Sequence, residues 1–499
     1  MCSSDLPTAA RPVTVETDVL RVQMTGGELS QADLLHYPSE ADAASAPVRL
    51  LANDPAQFFV ARSGWHSDTG PAPETQGFVP DPAATRGDTF RLAPDARQLV
   101  VPFIWNGPNG VSIRRTYTFE RGSYVVQVRD EVRNAGAAPW QAYVYRTLSR
   151  VPRALASSGP MSAESYSFQG AAWYSPAEKY EKCKFDEIAE SDCELNREVS
   201  GGWTSMIQHH FFASWIPQKD QAALYSVQQA DGRYTIDARG PAFTVPAGGT
   251  ASTSARLWVG PKLVKQIEAQ QVPGLQRAVD FSTYDIFATL AEWLFWVLEK
   301  IHGLVGNWGW AIVGLVVLLK ILMYPLSAAQ YKSMAKMRKF QPRIKQLQER
   351  YGDDKQKLQM AMMELYKKEK INPVGGCLPI LVQMPVFLCL YWMLSESVEL
   401  RHAPWIGWIH DLTARDPFFV LPLINIAVMW FTQKLTPMAP GMDPMQQKMM
   451  QYMPLVFGVL FAFMPAGLVL YWITNGALGL LQQWWMTKQY AEHPEKLAE

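Results

Sequence analysis

One ammonium stands where an ammonium is costly. Lys320 is the only charged residue between Trp308 and Leu326, and a lysine at the centre of a membrane-spanning helix costs about 2.5 to 3.5 kcal/mol on insertion scales. Such a residue either faces a hydrated hollow, where it attracts anionic groups, or snorkels along its aliphatic stem to the head groups. Leu326 is six residues further on, about 9 Å of helix, so both readings stand. Gln383, Asn425, Thr474 and Asn475, polar residues in other apolar runs, tilt the balance towards the hollow, although single polar residues also bond helix to helix.

Other reactive groups offer less. Cys183 and Cys193 flank a short polar stretch, KYEKCKFDEIAESDCEL, whose length suits a disulfide in an oxidising compartment and equally allows two free thiols. Cys377 and Cys389 lie in apolar runs, as buried thiols do. His209 and His210 are adjacent, so on a strand they point to opposite faces and share no metal or catalytic task. No Cys/His spacing suggests zinc, and neither a GxxxxGK[ST] phosphate loop nor a catalytic triad signature occurs. The expectation is a protein without cofactor, nucleotide hydrolysis or enzymatic chemistry.

The elements that must hold these residues differ along the chain. The 499 residues carry 46 basic and 46 acidic side chains, and with a mean hydropathy of −0.09 the average resembles a soluble protein. That neutrality is a cancellation. Residues up to Asp280 net −4 and those from Phe281 onward net +4, and the second part holds 17 of the 21 methionines and 11 of the 18 tryptophans.

Residues 16–280 read as β. Ile113, Tyr117 and Phe119 alternate with polar neighbours, Arg121-Gly122-Ser123 turns the chain, and Tyr124, Val126 and Val128 resume the alternation, a hairpin signal. Asn106-Gly107 and Asn109-Gly110 supply further turns. A large antiparallel sandwich is expected, with an exposed, mobile loop around Gly70 to Ala84.

Residues 281–303 form an amphipathic helix with Ile286, Phe287, Leu290, Trp293, Leu294, Val297, Leu298 and Ile301 on a broad apolar face and Asp285, Glu292 and Glu299 on one stripe, expected in the membrane interface. Residues 304–486 hold charge-poor stretches of spanning length. Between Lys448 and Lys488 lie 39 residues without a formal charge, about 58 Å as one helix, so Pro465-Ala466-Gly467 must divide them. The expected spans are about 308–326, 377–395, 417–433, 450–464 and 467–486. Residues 327–370 net +7 and Glu396 to Asp416 net −2, which puts the first loop in the cytoplasm, the second outside, the β domain outside and the short tail 487–499 inside.

The basic loop is patterned. Met337, Phe340, Ile344, Leu347 and Tyr351, then Gly352-Asp353-Asp354, then Leu358, Met362 and Leu365 describe a helical hairpin. Lys336, Arg338, Lys339, Arg343 and Lys345 make it a candidate docking arm for anionic lipid head groups, ribosomal RNA or an emerging chain; a solvated structural loop is the alternative. Its methionines offer a soft apolar surface.

The segments FQGAAWYSPAEKYEKCKFDEI, GGWTSMIQHHFFASWIP, MYPLSAAQYKSMAKMRKFQPRIKQL, NPVGGCLPILVQMPVFLCLYWML, DPMQQKMMQYMP and PAGLVLYWITN closely resemble the bacterial YidC membrane-protein insertase family, and the resemblance runs from about Glu16 to Trp485. It implies a periplasmic β-supersandwich followed by a five-helix transmembrane bundle with a cytoplasmic helical hairpin. It implies insertion and assisted folding of nascent inner-membrane proteins through a hydrophilic groove, alone or beside the Sec translocon, with ribosome contact. The groove's basic residue, usually Arg in the family, falls on Lys320; Gln383, Met384 and Pro385 fall on its substrate-facing span and Tyr471 and Trp472 on its last span. The family normally begins with an exporting transmembrane helix, whereas residues 1–15 have no apolar run and read as a remnant without it. The competing class, a polytopic transporter or channel with a periplasmic sensor domain, calls for inverted repeats, and no internal repeat is found.

Overall fold

A computed structural model describes residues 12–492 apart from 43, 74–76, 85–86, 154–166, 194, 220, 280, 282–283, 353, 369–377 and 436–443. Residues 1–11 and 493–499, with Cys377, therefore lie outside the described residues, as do most of the N-terminal remnant and half of the tail. The chain forms two compact units, the first closing at Asp280 and the second opening at Phe281.

Among the described residues the first unit is a sandwich of an eleven-stranded and a nine-stranded sheet. The strand Val111–Glu120 pairs antiparallel with Val125–Asn134, Phe119 opposite Val126 and Ile113 opposite Val132. Ile113, Tyr117, Phe119, Val126 and Val128 are buried, so the period-two alternation aims them into the space between sheets. Gly122 turns this hairpin with φ of 71°, a conformation that favours glycine.

An ion pair joins the sheets. Arg115 and Asp130 face each other in the nine-stranded sheet; Arg115 Nε and one terminal nitrogen each donate to the Asp130 carboxylate at 2.7 Å. From the strand Phe59–Ser67 of the other sheet, Trp65 Nε1 donates to Asp130 Oδ2 at 2.7 Å, and the Ser63 carbonyl accepts from Arg115 at 2.6 Å. Arg115 is fully buried and its guanidinium lies 4.3 Å from the Phe78 ring centroid. Phe78, in the loop expected to be exposed, is buried, and its N–H donates to the Gly26 carbonyl. The turn residues around it hid an aromatic cover for the buried charge.

One further expectation changes, and one open alternative closes. His209 and His210 lie in the turn between the strands Trp203–Ile207 and Phe211–Pro217, and their rings stack with centroids 3.7 Å apart instead of facing opposite ways. Among the described residues no group of His, Cys, Asp and Glu has a metal-binding arrangement. Cys183 and Cys193 are joined in a disulfide, Cα atoms 6.2 Å apart.

Among the described residues the second unit has eight α-helices: α1 (Asp285–Val305), α2 (Trp308–Leu322), α3 (Tyr324–Tyr351), α4 (Lys355–Lys368), α5 (Leu378–Glu396), α6 (Val420–Leu435), α7 (Pro444–Phe461) and α8 (Ala466–Glu492). Helix α1 buries Ala288, Ala291, Leu294, Phe295 and Leu298, whereas Ile286 and Trp293, expected on the same apolar face, are exposed. Helix α1 packs against α5, where the Phe287 and Trp392 ring centroids lie 6.1 Å apart. Helices α3 and α4 form the basic hairpin; Ile344 and Met362 are buried, and Asp354 Oδ1 accepts from the Lys357 N–H at 3.1 Å as an N-cap.

Helix α2 stops four residues short of the span expected to reach Leu326. Pro325 has no N–H to continue its hydrogen-bond ladder and is suited to the first turn of a new helix. The axis bends by 62° between Trp308–Leu322 and Tyr324–Lys332. By length and composition this bent pair passes as a membrane span together, while among the described residues no single helix does; Val420–Leu435 and Gln451–Phe461 are shorter apolar helices.

The N-terminal ends of α2, α6 and α8 are latched to one loop. Asn307 caps α2 by accepting from the Trp310 N–H at 3.1 Å, while its Nδ2 donates to the Pro404 carbonyl at 3.0 Å. The N–H groups of Ala466 and Gly467 donate to the carbonyls of Ala414 and Leu412 at 2.7 and 2.8 Å, so two orphan donors of α8 are satisfied. The buried Asp416 carboxylate accepts from Trp408 Nε1, the Phe418 N–H and the Leu421 N–H at 2.9, 3.0 and 2.7 Å, a negative charge at the start of α6.

Replacing Asp130 by Ala strands a buried guanidinium and lowers the stability of the first unit by about 3 to 5 kcal/mol. Denaturant unfolding of the full chain measures it, and a loss below about 1 kcal/mol would show that the pair does not hold the sheets together. Asp416→Ala leaves three donors without their charged acceptor; at about 1.5 to 3 kcal/mol per such bond, the helical unit melts earlier in detergent, and an unchanged melting temperature would remove the latch from the account.

Candidate functional site

The polar end of the helical unit lies opposite the latch. Lys320 occupies the last turn of α2, about 18 Å of helix from Trp308, so it is two residues from its helix end and not six. That position also sets its positive charge at the favourable end of the helix dipole.

Around Lys320 the helices leave a cavity of about 50 Å³, room for more than one water. Val316, Leu319 and Met323 supply apolar walls from α2 and the break; Gln383 comes from α5, and Tyr471 and Asn475 from α8. Gln383 Nε2 donates to Asn475 Oδ1 at 3.1 Å, tying α5 to α8 across the hollow. Among the described residues no carboxylate lines it, and no hydrogen bond or ion pair reaches the Lys320 ammonium. Among these residues the hollow carries one positive charge with no counter-charge inside an apolar bundle.

Besides Leu326, three polar lining residues come from beyond the break: Ser327, Gln330 and Tyr331 in the first turns of α3. Tyr331 Oη donates to the Gly479 carbonyl at 3.1 Å, which pins the start of α3 to α8. In the sequence these three belong to the basic loop, and their spacing of three and four places them on one helical face. Only the bend at Pro325 turns that face into the hollow.

The other expected groove residues lie elsewhere. Met384 is exposed, and Pro385 sits half-buried inside α5 without lining the cavity. Asn425 is buried on α6, its Nδ2 3.7 Å from Met429 Sδ. Thr474 Oγ1 donates to the Leu470 carbonyl of its own helix at 2.8 Å. Trp472 packs against Phe387 and Phe461, ring centroids 4.8 and 5.4 Å away. Of the basic hairpin residues, Arg343 is exposed with its guanidinium 5.8 Å from the Phe340 ring centroid; the side chains of Lys336, Arg338, Lys339 and Lys345 lie outside the described set.

A family model described as the YidC periplasmic domain matches residues 12–297, and one described as the 60Kd inner membrane protein matches residues 300–493. The membrane protein insertase YidC of Stenotrophomonas maltophilia (strain K279a) is 61% identical over 490 residues, 97% of this chain and 84% of that protein. Its namesake in Xanthomonas axonopodis pv. citri (strain 306) is 59% identical over 98% of this chain and 84% of its own length. A crystal structure of an active YidC insertase with its first transmembrane domain resolved aligns over 95% of this chain and 92% of its own at 18% identity, with a TM-score of 0.39. With both family models matched and such identity over nearly its full length, the chain belongs to the YidC family of membrane protein insertases, with a periplasmic β domain followed by a helical membrane region.

Proposed function

We propose that the Lys320 hollow is the polar end of a groove through which this chain inserts nascent proteins into the inner membrane. The observation that carries the reading is the unpartnered ammonium at the end of the bundle opposite the Asp416 latch. A latched outer end and a hydrated inner end fit a groove open to the cytoplasm and closed to the periplasm. The loop charges support this orientation: +7 over residues 327–370 and −2 over Glu396 to Asp416. The five stretches expected to span the membrane are then the bent α2–α3 pair, α5, α6, α7 and α8, with the chain's C-terminus inside.

The mechanism needs no fuel. A substrate's short acidic tail enters the hollow, drawn by an ammonium whose field is poorly screened by the apolar walls. Gln383, Asn475 and Tyr331 offer hydrogen-bonding groups where water would otherwise be lost. The substrate's apolar segment meanwhile leaves for lipid, and its burial, about 25 cal/mol per Å², drives the net transfer. The groove shortens the path over which polar groups meet hydrocarbon. On the cytoplasmic side the basic hairpin docks to anionic lipid or to a ribosome carrying the substrate, and the Sec translocon is a partner for larger clients.

In reconstituted vesicles Lys320→Glu lowers the insertion yield of substrates with acidic tails by about tenfold, equivalent to about 1.4 kcal/mol, and leaves neutral-tailed substrates within about twofold. Equal losses for both classes would sink the electrostatic reading and leave Lys320 a structural residue.

A further inference from the structure

Lys320 borders two cavities. Besides the polar hollow, a more open cavity of about 450 Å³ lies on the other side of the α2–α8 seam, lined by Val317, Lys320, Ile321, Tyr324, Leu478 and Gln482. Among the described residues the two share the lysine and no other. Between the two cavities α8 presents Gly479, and a Cβ at that position would stand at ordinary van der Waals distance, 3.6 Å, from Lys320 Nζ, so the ammonium lies against the α8 backbone.

The second cavity has the chemistry of an amphiphile's site. Val317, Ile321 and Leu478 line it with hydrocarbon, and Ile321, Leu322 and Leu481 around it are exposed, as on a lipid-facing surface. Its polar members are Lys320, Gln482 and Tyr324, whose hydroxyl lies 3.8 Å from Met486 Sδ. Immediately beyond Gln482 stand the exposed Trp484 and Trp485, with Lys488 5.9 Å from the Trp484 ring centroid. Such an aromatic and basic belt marks head-group level, so this cavity reaches from one turn inside the hydrocarbon to the interface.

We propose that it binds one anionic phospholipid, the acyl chain along Val317, Ile321 and Leu478 and the phosphate on Lys320 beside Tyr324 and Gln482. This rests on the groove reading above and deepens it: the lipid compensates the ammonium while the groove is empty, and an acidic substrate tail in the polar hollow competes for the same charge from the other side. Charge complementarity fixes the occupant. A zwitterionic lipid brings its own cation, and a neutral acyl chain leaves the ammonium unpaired.

The test uses full-length protein in nanodiscs doped with photoactivatable phosphatidylglycerol or phosphatidylcholine of matched chains, with adducts mapped by mass spectrometry. Phosphatidylglycerol labels α2 and α8 near Ile321 and Leu478 about fivefold more than phosphatidylcholine, the ratio that corresponds to about 1 kcal/mol for one basic residue at an anionic surface. Lys320→Arg keeps that preference, Lys320→Gln removes it, and Leu478→Trp, which fills the cavity, lowers the labelling by both lipids. Equal labelling of the wild type by the two lipids, or a preference that survives Lys320→Gln, overturns the proposal; so does loss of labelling on adding inorganic phosphate alone, which would make the occupant a soluble anion. Insertion assays on the same variants separate the two readings: a Lys320→Gln protein that loses acidic-tail selectivity but keeps its lipid preference refutes only the lipid site, and the reverse refutes only the groove.

Discussion

A cation with no counter-ion among the described residues can persist among apolar helices only if water or a ligand reaches it, because full desolvation costs more than one side chain's packing returns. Lys320 sets that constraint, and much of the helical unit answers it. The hollow beside it exists because α2 ends at Leu322 and α3 departs at 62°; a straight continuation would carry Ser327, Gln330 and Tyr331 away from the lysine. The Gln383–Asn475 bond holds the opposite wall in place. At the other end the same helices are tied by Asn307, Asp416 and the carbonyls of Leu412 and Ala414. One unpaired charge thus requires an open end, and the capped helix starts supply a closed one.

The β unit meets a related demand in the opposite way. Arg115 is as deeply buried as any residue there, yet it has Asp130, the Ser63 carbonyl and the Phe78 face. A buried pair satisfied on every side fixes how two sheets register and leaves nothing to bind. Lys320, held by no partner, is available to a ligand. The contrast locates function in the helical unit and structure in the sandwich core.

What could be read from the residues followed from periodicity. The alternation of Ile113, Tyr117 and Phe119 gave the hairpin and its register, the apolar runs gave the helices, and the 3-4 spacing through Ile344 gave the basic arm. Lys320 announced itself by charge alone, and Gln383, Tyr471 and Asn475 join it in the cavity. The rest depended on geometry that no local pattern encodes. Pro325 is compatible with a kinked or an ended helix, and only the observed bend brings three residues of the presumed loop into the hollow. Phe78 was concealed by its turn-rich surroundings, and Asp416 looked like one more charge in an acidic loop although it is buried and accepts three hydrogen bonds. Asn425 and Thr474 are polar residues whose hydrogen-bonding atoms turn to their own helices, a use that sequence does not distinguish from lining a groove.

The choice of lysine has a steric side. Arg would bring a planar fork able to hold a carboxylate bidentately, but it is longer and needs more width than an ammonium. At the α2–α8 seam Lys320 Nζ stands 3.6 Å from the position a Cβ of Gly479 would take, an ordinary van der Waals distance. Lys320 lines both the polar hollow and the open cavity, and its ammonium is a compact point charge with three rotatable donors. A point charge at that junction turns to a ligand on either side without the planar alignment that a guanidinium fork imposes.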